Sequence, residues 1–342
     1  MANRVLTLRE LNRATLARQH LLERKRLSPT ALIEHLVGMQ AQWPSAPYVG
    51  IWTRTHGFRR DALERELKRG SILKANAMRQ TLHLVTPRDY GLIRAAQSET
   101  NYPWETSVAK QLARSVRAIA DGGPVTSADA IAHLEREHGL TGVTARRAWR
   151  AARIRAHLLH HHETALWQAR PEGRFVAVEE PEAHDPTEAR ADLLRRYLAA
   201  FGPASQRDIV QWSMMHVPEI RRALERLDLL RFRDANGPEL LDVEGAPLPD
   251  HETPAPVRFL PKWDNVLLAF ADRTRVLPEQ YRKTVIKRNG DVAQTFLVDG
   301  FVAGTWRVEK GRVVVEPFEA LPRAQRAAVE EEAADLETFL AD

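Results

Sequence analysis

The strongest constraint on this 342-residue chain is an order of helix caps, helices and paired β-runs that recurs three times. Thr7 and Glu10 have capping-box spacing ahead of Leu11, Leu16 and Leu21-Leu22. Ser28-Pro29 sets an N-cap residue before proline at the first helical position, which predicts a helix over 28–39 with Leu32, Ile33, Leu36 and Val37 inward. Asp61 and Glu64 repeat the cap signal before Leu63 and Leu67, and Gly70 closes that helix. β-like runs follow at 71–74 and 81–85, and Thr86-Pro87 starts another helix.

The second copy opens with Thr126-Ser127, runs through Ile131 and Leu134 and stops at Gly139. Its second helix begins at Thr144 and carries Trp149 and Ile154; runs at 165–169 and 174–178 then flank the turn signal Pro171-Glu172-Gly173. The third copy begins at Gly202-Pro203-Ala204-Ser205 before Asp208, Ile209 and Trp212. Val217-Pro218 starts its second helix, and runs at 229–233 and 239–243 form a hairpin around Asn236-Gly237. Helix, helix, two-stranded hairpin is the order of a winged helix. Residues 244–261 hold five prolines, from Pro247 to Pro261, and read as an extended linker. Runs at 283–288, 292–298, 301–308 and 312–316, joined by Asn289-Gly290, Asp299-Gly300 and Lys310-Gly311, predict a β-meander before a last helix over 322–340.

The expected fold is therefore α+β: three tandem winged-helix units followed by a C-terminal antiparallel β-meander and a terminal helix. The units fall at 1–120, 121–184 and 185–245, with linker, meander and helix over 246–342.

Charge points to a polyanion. The formal charge is +5 with an isoelectric point near 9.6, although 330–342 holds six acidic residues and no basic one. The rest of the surface is thus more basic than the mean, as expected of a protein that neutralises phosphates. No run approaches the roughly 20 apolar residues of a membrane helix, the N-terminus lacks a signal-peptide stretch, and cysteine is absent. These features predict a cytoplasmic protein, gathered at the nucleoid, with no membrane partner.

Two cationic surfaces are candidates for DNA. Arg146, Arg150 and Arg153 share one face of the second helix of the middle unit, as on a recognition helix or a solvated arginine face. Arg282, Lys283, Lys287 and Arg288 crowd the 283–298 hairpin, which has the width of a groove reader; edge protection accounts for such charges equally well. His157 and His161 fall at i, i+4 on one helix face, a spacing compatible with a metal pair. No acidic or thiol partner stands at ligand spacing, and imidazoles at a helix C-terminus suit the dipole. Gly-rich phosphate loops, Gly-x-Ser-x-Gly and His-Glu-x-x-His are missing, so neither metal nor cofactor is expected.

One segment adds chemistry. Gln40-Ala41-Gln42 is accompanied by Leu16-Ala17-Arg18-Gln19-His20, Met78-Arg79-Gln80-Thr81-Leu82-His83, Phe201-Gly202-Pro203-Ala204-Ser205, Leu260-Pro261-Lys262-Trp263-Asp264-Asn265 and Asp299-Gly300-Phe301 through Gly304-Thr305-Trp306. In that order, over nearly the whole chain, these resemble the landmarks of the AlkZ/YcaQ-type winged-helix DNA glycosylases. The family's catalytic signature is Gln-apolar-Gln in the AlkZ-like branch, linked to antibiotic self-resistance and crosslink unhooking, and ends in Asp in the YcaQ branch. Gln80 departs from the small residue expected there.

The resemblance implies that Gln40 and Gln42 are catalytic, Gln42 orienting the water and Gln40 contacting the sugar or lesion; helix C-capping by the two amides is the alternative. It implies a monofunctional glycosylase excising N7-alkylguanine-type cationic lesions, including bulky adducts and interstrand crosslinks, from duplex DNA as a monomer. Alkylation already makes the base a good leaving group, so the barrier left is an oxocarbenium-like sugar. A neutral amide dipole serves that barrier without a titrating base. Arg79 and His83 lie on the first wing, His83 in the core or facing the DNA backbone. Trp263 and Asp264 support the site, Asp264 as a buried acceptor holding its turn or as a direct participant. A winged-helix transcription regulator without catalysis is the alternative function.

Overall fold

The computed structural model describes residues 4–97, 107–169, 173–179, 181–182, 184–235 and 237–342. Its helices and antiparallel sheets make a mixed α+β fold, and the cap signals largely place the helices. Thr7 caps the helix Leu8–Arg18 in a capping box with Glu10, Ser28 caps Pro29–His35, Thr126 caps Ser127–His138 and Ser205 caps Gln206–Ser213. Gly70 and Gly139 end their helices in the left-handed conformation. Helix Arg60–Arg69 departs from expectation: Arg59 occupies the cap position without a side-chain bond, and Asp61 sits inside the first turn against Arg65.

The hairpins of the first two helix–helix–hairpin stretches fuse. Strands Leu73–Asn76 and Leu82–Val85 pair antiparallel, and Lys74 registers opposite His160 of the strand Leu158–His160. With Arg174–Ala177, Val125–Thr126 and Met39–Gln40 they form one six-stranded sheet. The third hairpin, Leu230–Asp234 with Glu239–Asp242, instead takes the N-terminal strand Val5–Leu6 in parallel. The largest core cluster joins both regions through Tyr197, Phe201, Trp212 and Phe270. Among the described residues, no helix is long and apolar enough to cross a membrane.

Several expectations are corrected. The helix predicted over 28–39 stops at His35, because Val37 and Gly38 take φ of 54° and 96° and the Gly38 N–H turns back to the Ile33 carbonyl at 2.9 Å. The chain then continues as the strand Met39–Gln40 beside Leu82–Val85. Gln40 is thus a strand residue, which rules out helix capping by its amide. In the middle stretch the helix Gly142–Arg155 ends before the histidine run, and the strand predicted over 165–169 is instead Leu158–His160. His157 turns left-handed at φ 50°, so His157 and His161 do not share a helix face. Pro171, Glu172 and Asn236 of the predicted turns lie outside the described residues.

The C-terminal sheet also begins earlier than expected. Its first strand is Arg258–Leu260, inside the predicted linker, followed by Thr295–Val298, Phe301–Glu309 and Arg312–Pro317. Phe259 and Leu260 are fully buried, so the flanking prolines enclose a core strand. The predicted strand 283–288 is a short helix, Arg282–Val285, leading to a loop closed by the Ile286–Val292 bridge. Helix Arg323–Ala341 covers the sheet, burying Val329, Leu336 and Phe339.

Arg18 pins the N-terminal helix to the third hairpin. It is 1% exposed, bonds both oxygens of Asp242 at 2.7 and 2.8 Å, and also donates to the carbonyls of Leu198 and Pro247. Removing one partner of a buried pair strands the other charge and costs about 3–5 kcal/mol. Asp242→Ala should therefore lower the free energy of unfolding by about that amount in urea titration; a loss under 1 kcal/mol would show that the pair does not hold this junction.

Candidate functional site

Gln42 emerges where the short strand Met39–Gln40 leaves the six-stranded sheet, at a cavity of about 960 Å³. The same cavity is lined by Gln40, Arg79, Arg150, Arg153 and Trp263, drawn from distant stretches of the chain. Gln42 is exposed, and its side chain has no hydrogen-bond partner among the described residues. Gln40 is 5% exposed; its Oε1 accepts from Arg79 Nη2 at 2.8 Å. That bond orients the amide and takes one lone pair of the oxygen, while the NH₂ has no hydrogen-bond partner among the described residues and is free to donate to a ligand.

Two clamps set this strand. Asn265 grips it from the C-terminal region, its Nδ2 donating to the Gly38 carbonyl at 2.8 Å and its Oδ1 accepting from the Gln40 N–H at 3.3 Å. Asn265 is in turn placed by Asp264, which caps the helix Asn265–Leu268 and forms a buried bidentate pair with Arg54 at 2.7 and 2.9 Å. Asp264 is therefore a buried acceptor, 4% exposed, and does not line the cavity. The opposite clamp is Arg79, in a Met78–Gln80 turn where Arg79 and Gln80 both have φ of 56°. Left-handed backbone in two non-glycine residues is a strained conformation, which accounts for the expectation of a small residue at Gln80. Burial and the nearby Arg273 lower the Arg79 pKa to about 10, so it stays cationic at neutral pH.

Trp263 builds the facing wall. Its indole N–H donates to the Gly290 carbonyl at 2.9 Å, and the adjacent Lys262 ammonium bonds both Asp291 oxygens at 2.9 and 3.1 Å. These contacts dock the Asn289-Gly290 loop tip onto the cavity rim. Lys287 and Arg288 are exposed beside that tip; Arg282 and Lys283 are exposed on the short helix behind it, and none of the four lines the cavity. Arg150 and Arg153 do line it, Arg153 donating to Asn76 Oδ1 at 3.0 Å, whereas Arg146 is exposed further along the same helix. Among the described residues the only acid in the lining is Asp291, already neutralised by Lys262, against four cations, Arg79, Arg150, Arg153 and Lys262, so these residues make the cavity cationic. Such a field concentrates a polyanion.

His83 is the residue the structure moves furthest from a DNA role. It registers opposite Gln40 on the neighbouring strand, is 2% exposed, and its Nδ1–H donates to the Thr81 carbonyl at 3.0 Å. A buried neutral imidazole does not reach a phosphate. The histidine run also differs from expectation: Glu163 joins His161 and His162, with ligand atoms within 4.8 Å of one another. Arg174 bonds Glu163 at 3.1 Å, and the trio does not line the cavity. Arg54, Asn265, Lys262 and Trp43 are site residues that the sequence reading did not single out for a role. Asn265 closes a motif that was singled out, whereas Arg54 stands in no motif.

Residues 33–339 match the family model for DNA glycosylase AlkZ-like proteins. The chain belongs to the AlkZ-like DNA glycosylase family. An "interstrand DNA cross-link repair glycosylase" from Streptomyces sahachiroi is 26% identical over 93% of this chain and 92% of its own length. The solved structure of S. sahachiroi DNA glycosylase AlkZ superposes with a TM-score of 0.79 at 23% identity, covering 96% of this chain and 95% of that one, and so shares its fold. Membership in the AlkZ-like family decides for a DNA-acting enzyme over a transcription regulator.

His83 also makes the site's support sensitive to acid. Burial and the neighbouring Arg79 lower its pKa from 6.5 to about 3. The unfolded chain thus binds this proton below about 6.5 while the native state refuses it, so stability falls as pH drops from 6.5 towards 3, by about 1.4 kcal/mol per pH unit. In urea titrations between pH 7 and 4.5, His83→Gln should flatten the loss of stability relative to the parent. An identical pH slope in the two proteins would place the acid-sensitive group elsewhere.

Proposed function

We propose that this AlkZ-like glycosylase excises N7-alkylguanine-type cationic lesions from duplex DNA, acting as a monofunctional hydrolase and as a monomer at the nucleoid. The observation that carries this reading is the pairing of an unpartnered, exposed Gln42 with a pinned, buried Gln40 in a cationic cavity whose one carboxylate among the described residues is already engaged. Among the described residues such a site has no acid–base pair with which to expel a neutral base. It can hydrolyse a bond whose leaving group alkylation has already made cationic. Gln42 orients the attacking water, and its carbonyl dipole favours the oxocarbenium-like sugar as positive charge develops. Gln40, its oxygen taken by Arg79, donates its amide to the sugar or the lesion.

The three helix–helix–hairpin stretches, with limits near residues 120, 184 and 245, are read as winged-helix units cradling the duplex, with 246–342 closing the cradle. Arg146, Arg150 and Arg153 follow the backbone on one side of the cavity. The 287–290 loop, with Lys287 and Arg288 beside its docked tip, enters the groove on the other. A relative named for interstrand cross-link repair supports extending the lesion range to bulky adducts and crosslinks. The breadth of the cavity supports it too, because a lesion held in an open cleft need not be flipped into a tight pocket.

Gln42→Ala tests the catalytic reading. Losing a preorganised dipole that acts on the transition state should lower single-turnover excision of N7-methylguanine by about 10²–10³-fold while the Kd for lesion DNA stays within a few-fold. A mutant that excises at the parental rate would remove Gln42 from the mechanism.

A further inference from the structure

Behind Gln42 a second cavity of about 400 Å³ opens off the first, and the two share Gln42, Trp43, Leu82, His160 and Gly173 in their walls. Hydrolysis of a small alkyl lesion makes no use of it, and its lining differs from a phosphate-binding surface. Trp43 and Trp167 face it, with Pro44 and Leu82. Trp167 is held in place by Tyr48 and Phe339, with ring centroids at 5.4 and 6.0 Å. Trp43 is 53% exposed, and its indole has no ring contact or hydrogen bond among the described residues. An unpartnered indole beside the reacting group offers a stacking face that hydration does not reward.

Lys74 adds a polar requirement. It lines this chamber at 5% exposure, its ammonium donates to the Thr164 carbonyl at 2.7 Å, and no carboxylate pairs with it among the described residues. Lysine is rarely so buried without an anionic partner, and an ammonium has three donors, of which the described residues take one. Burial lowers its pKa to about 8, so it remains largely a donor at neutral pH.

We propose that this side chamber receives the arm of a bulky N7-guanine adduct: a planar aromatic group carrying a hydrogen-bond acceptor, stacked on Trp43 and bonded by Lys74 while the alkylated base stands before Gln42. A volume near 400 Å³ falls within the range of small-molecule sites and far exceeds a methyl group. The proposal rests on the N7-alkylguanine reading above.

The test compares single-turnover kcat/KM on three duplexes, carrying N7-methylguanine, an N7-(naphthylmethyl)guanine and an N7-guanine with a quinolone arm. Ser45→Phe fills the chamber from a residue whose side chain makes no cap bond, and Gln168→Trp fills it from the exposed rim. Both should leave N7-methylguanine excision within two-fold and lower excision of the two arm-bearing adducts ten-fold or more. Lys74→Met should lower only the quinolone substrate. Loss on all three substrates alike by the folded filling variants would show that the chamber holds part of the DNA common to them. Loss on none would leave the arm in the groove; either result overturns the proposal. If the parent protein fails on N7-methylguanine itself, the lesion reading falls, a failure the parent's data alone reveal.

Discussion

Arg54 and Asp264 stand 210 residues apart in sequence and meet, both almost fully buried, through two parallel hydrogen bonds of 2.7 and 2.9 Å. The guanidinium also donates to the Gly50 carbonyl, so it ties the end of the Ala46–Trp52 helix to the turn that opens the Asn265–Leu268 helix. Taking two charges out of water is unfavourable, and the pair is weak evidence of net stability on its own. Its consequence is positional. Asp264 caps the short helix, Asn265 is thereby oriented, and its amide holds the backbone on both sides of Met39, which fixes the register that delivers Gln40 and Gln42 to the cavity. The strand that leads to Gln42 is two residues long; without that anchor it would have only its pairing with Leu82–Val85.

Part of the local backbone strain lies around the same cavity. Val37, Arg79, Gln80 and Trp263 all hold left-handed backbone that non-glycine residues seldom adopt, at about 1–3 kcal/mol each. Val37 is β-branched, so its strain is the greatest. Each of these residues turns the chain next to a group that forms the site. Val37 starts the Gln strand, Arg79 and Gln80 aim a guanidinium at Gln40, and Trp263 brings its indole to the Gly290 tip. Neutral amides held in this way suit a reaction in which positive charge develops on the sugar. A group that must be prealigned rather than protonated depends on a rigid scaffold.

Features set by local chemistry were legible in the sequence. The box Thr7/Glu10 forms as its spacing requires, Thr126 and Ser205 cap the helices they precede, and Gly70 and Gly139 end theirs. Gln40, Gln42, Arg79 and Trp263 stood in motifs and Arg150 and Arg153 on a basic helix face, although no local rule could bring them together. The misreadings came where tertiary pairing overrode pattern. Met39–Gln40 is too short to show alternation, and its one signal was Gly38. The strand Leu158–His160 is set by its pairing with Arg174–Ala177 on one side and with Lys74 of the first hairpin on the other, and Arg258–Leu260 was masked by neighbouring prolines. Burial of His83 between the strands of Gln40 and Ala75, and the pairing of Arg54 with Asp264 across 210 residues, depend on tertiary contacts for which periodicity carries no information.

The central claim is that Asn265 acts through Gln42, by holding the strand that presents it. A double-mutant cycle of single-turnover excision rates on N7-methylguanine duplex, using Asn265→Ala and Gln42→Ala separately and together, measures that coupling directly. If Asn265 serves only to place Gln42, its substitution slows the parent enzyme ten-fold or more and has no further effect once Gln42 is gone. Equal losses in both backgrounds would contradict the account, because Asn265 would then contribute independently of the glutamine it is held to position.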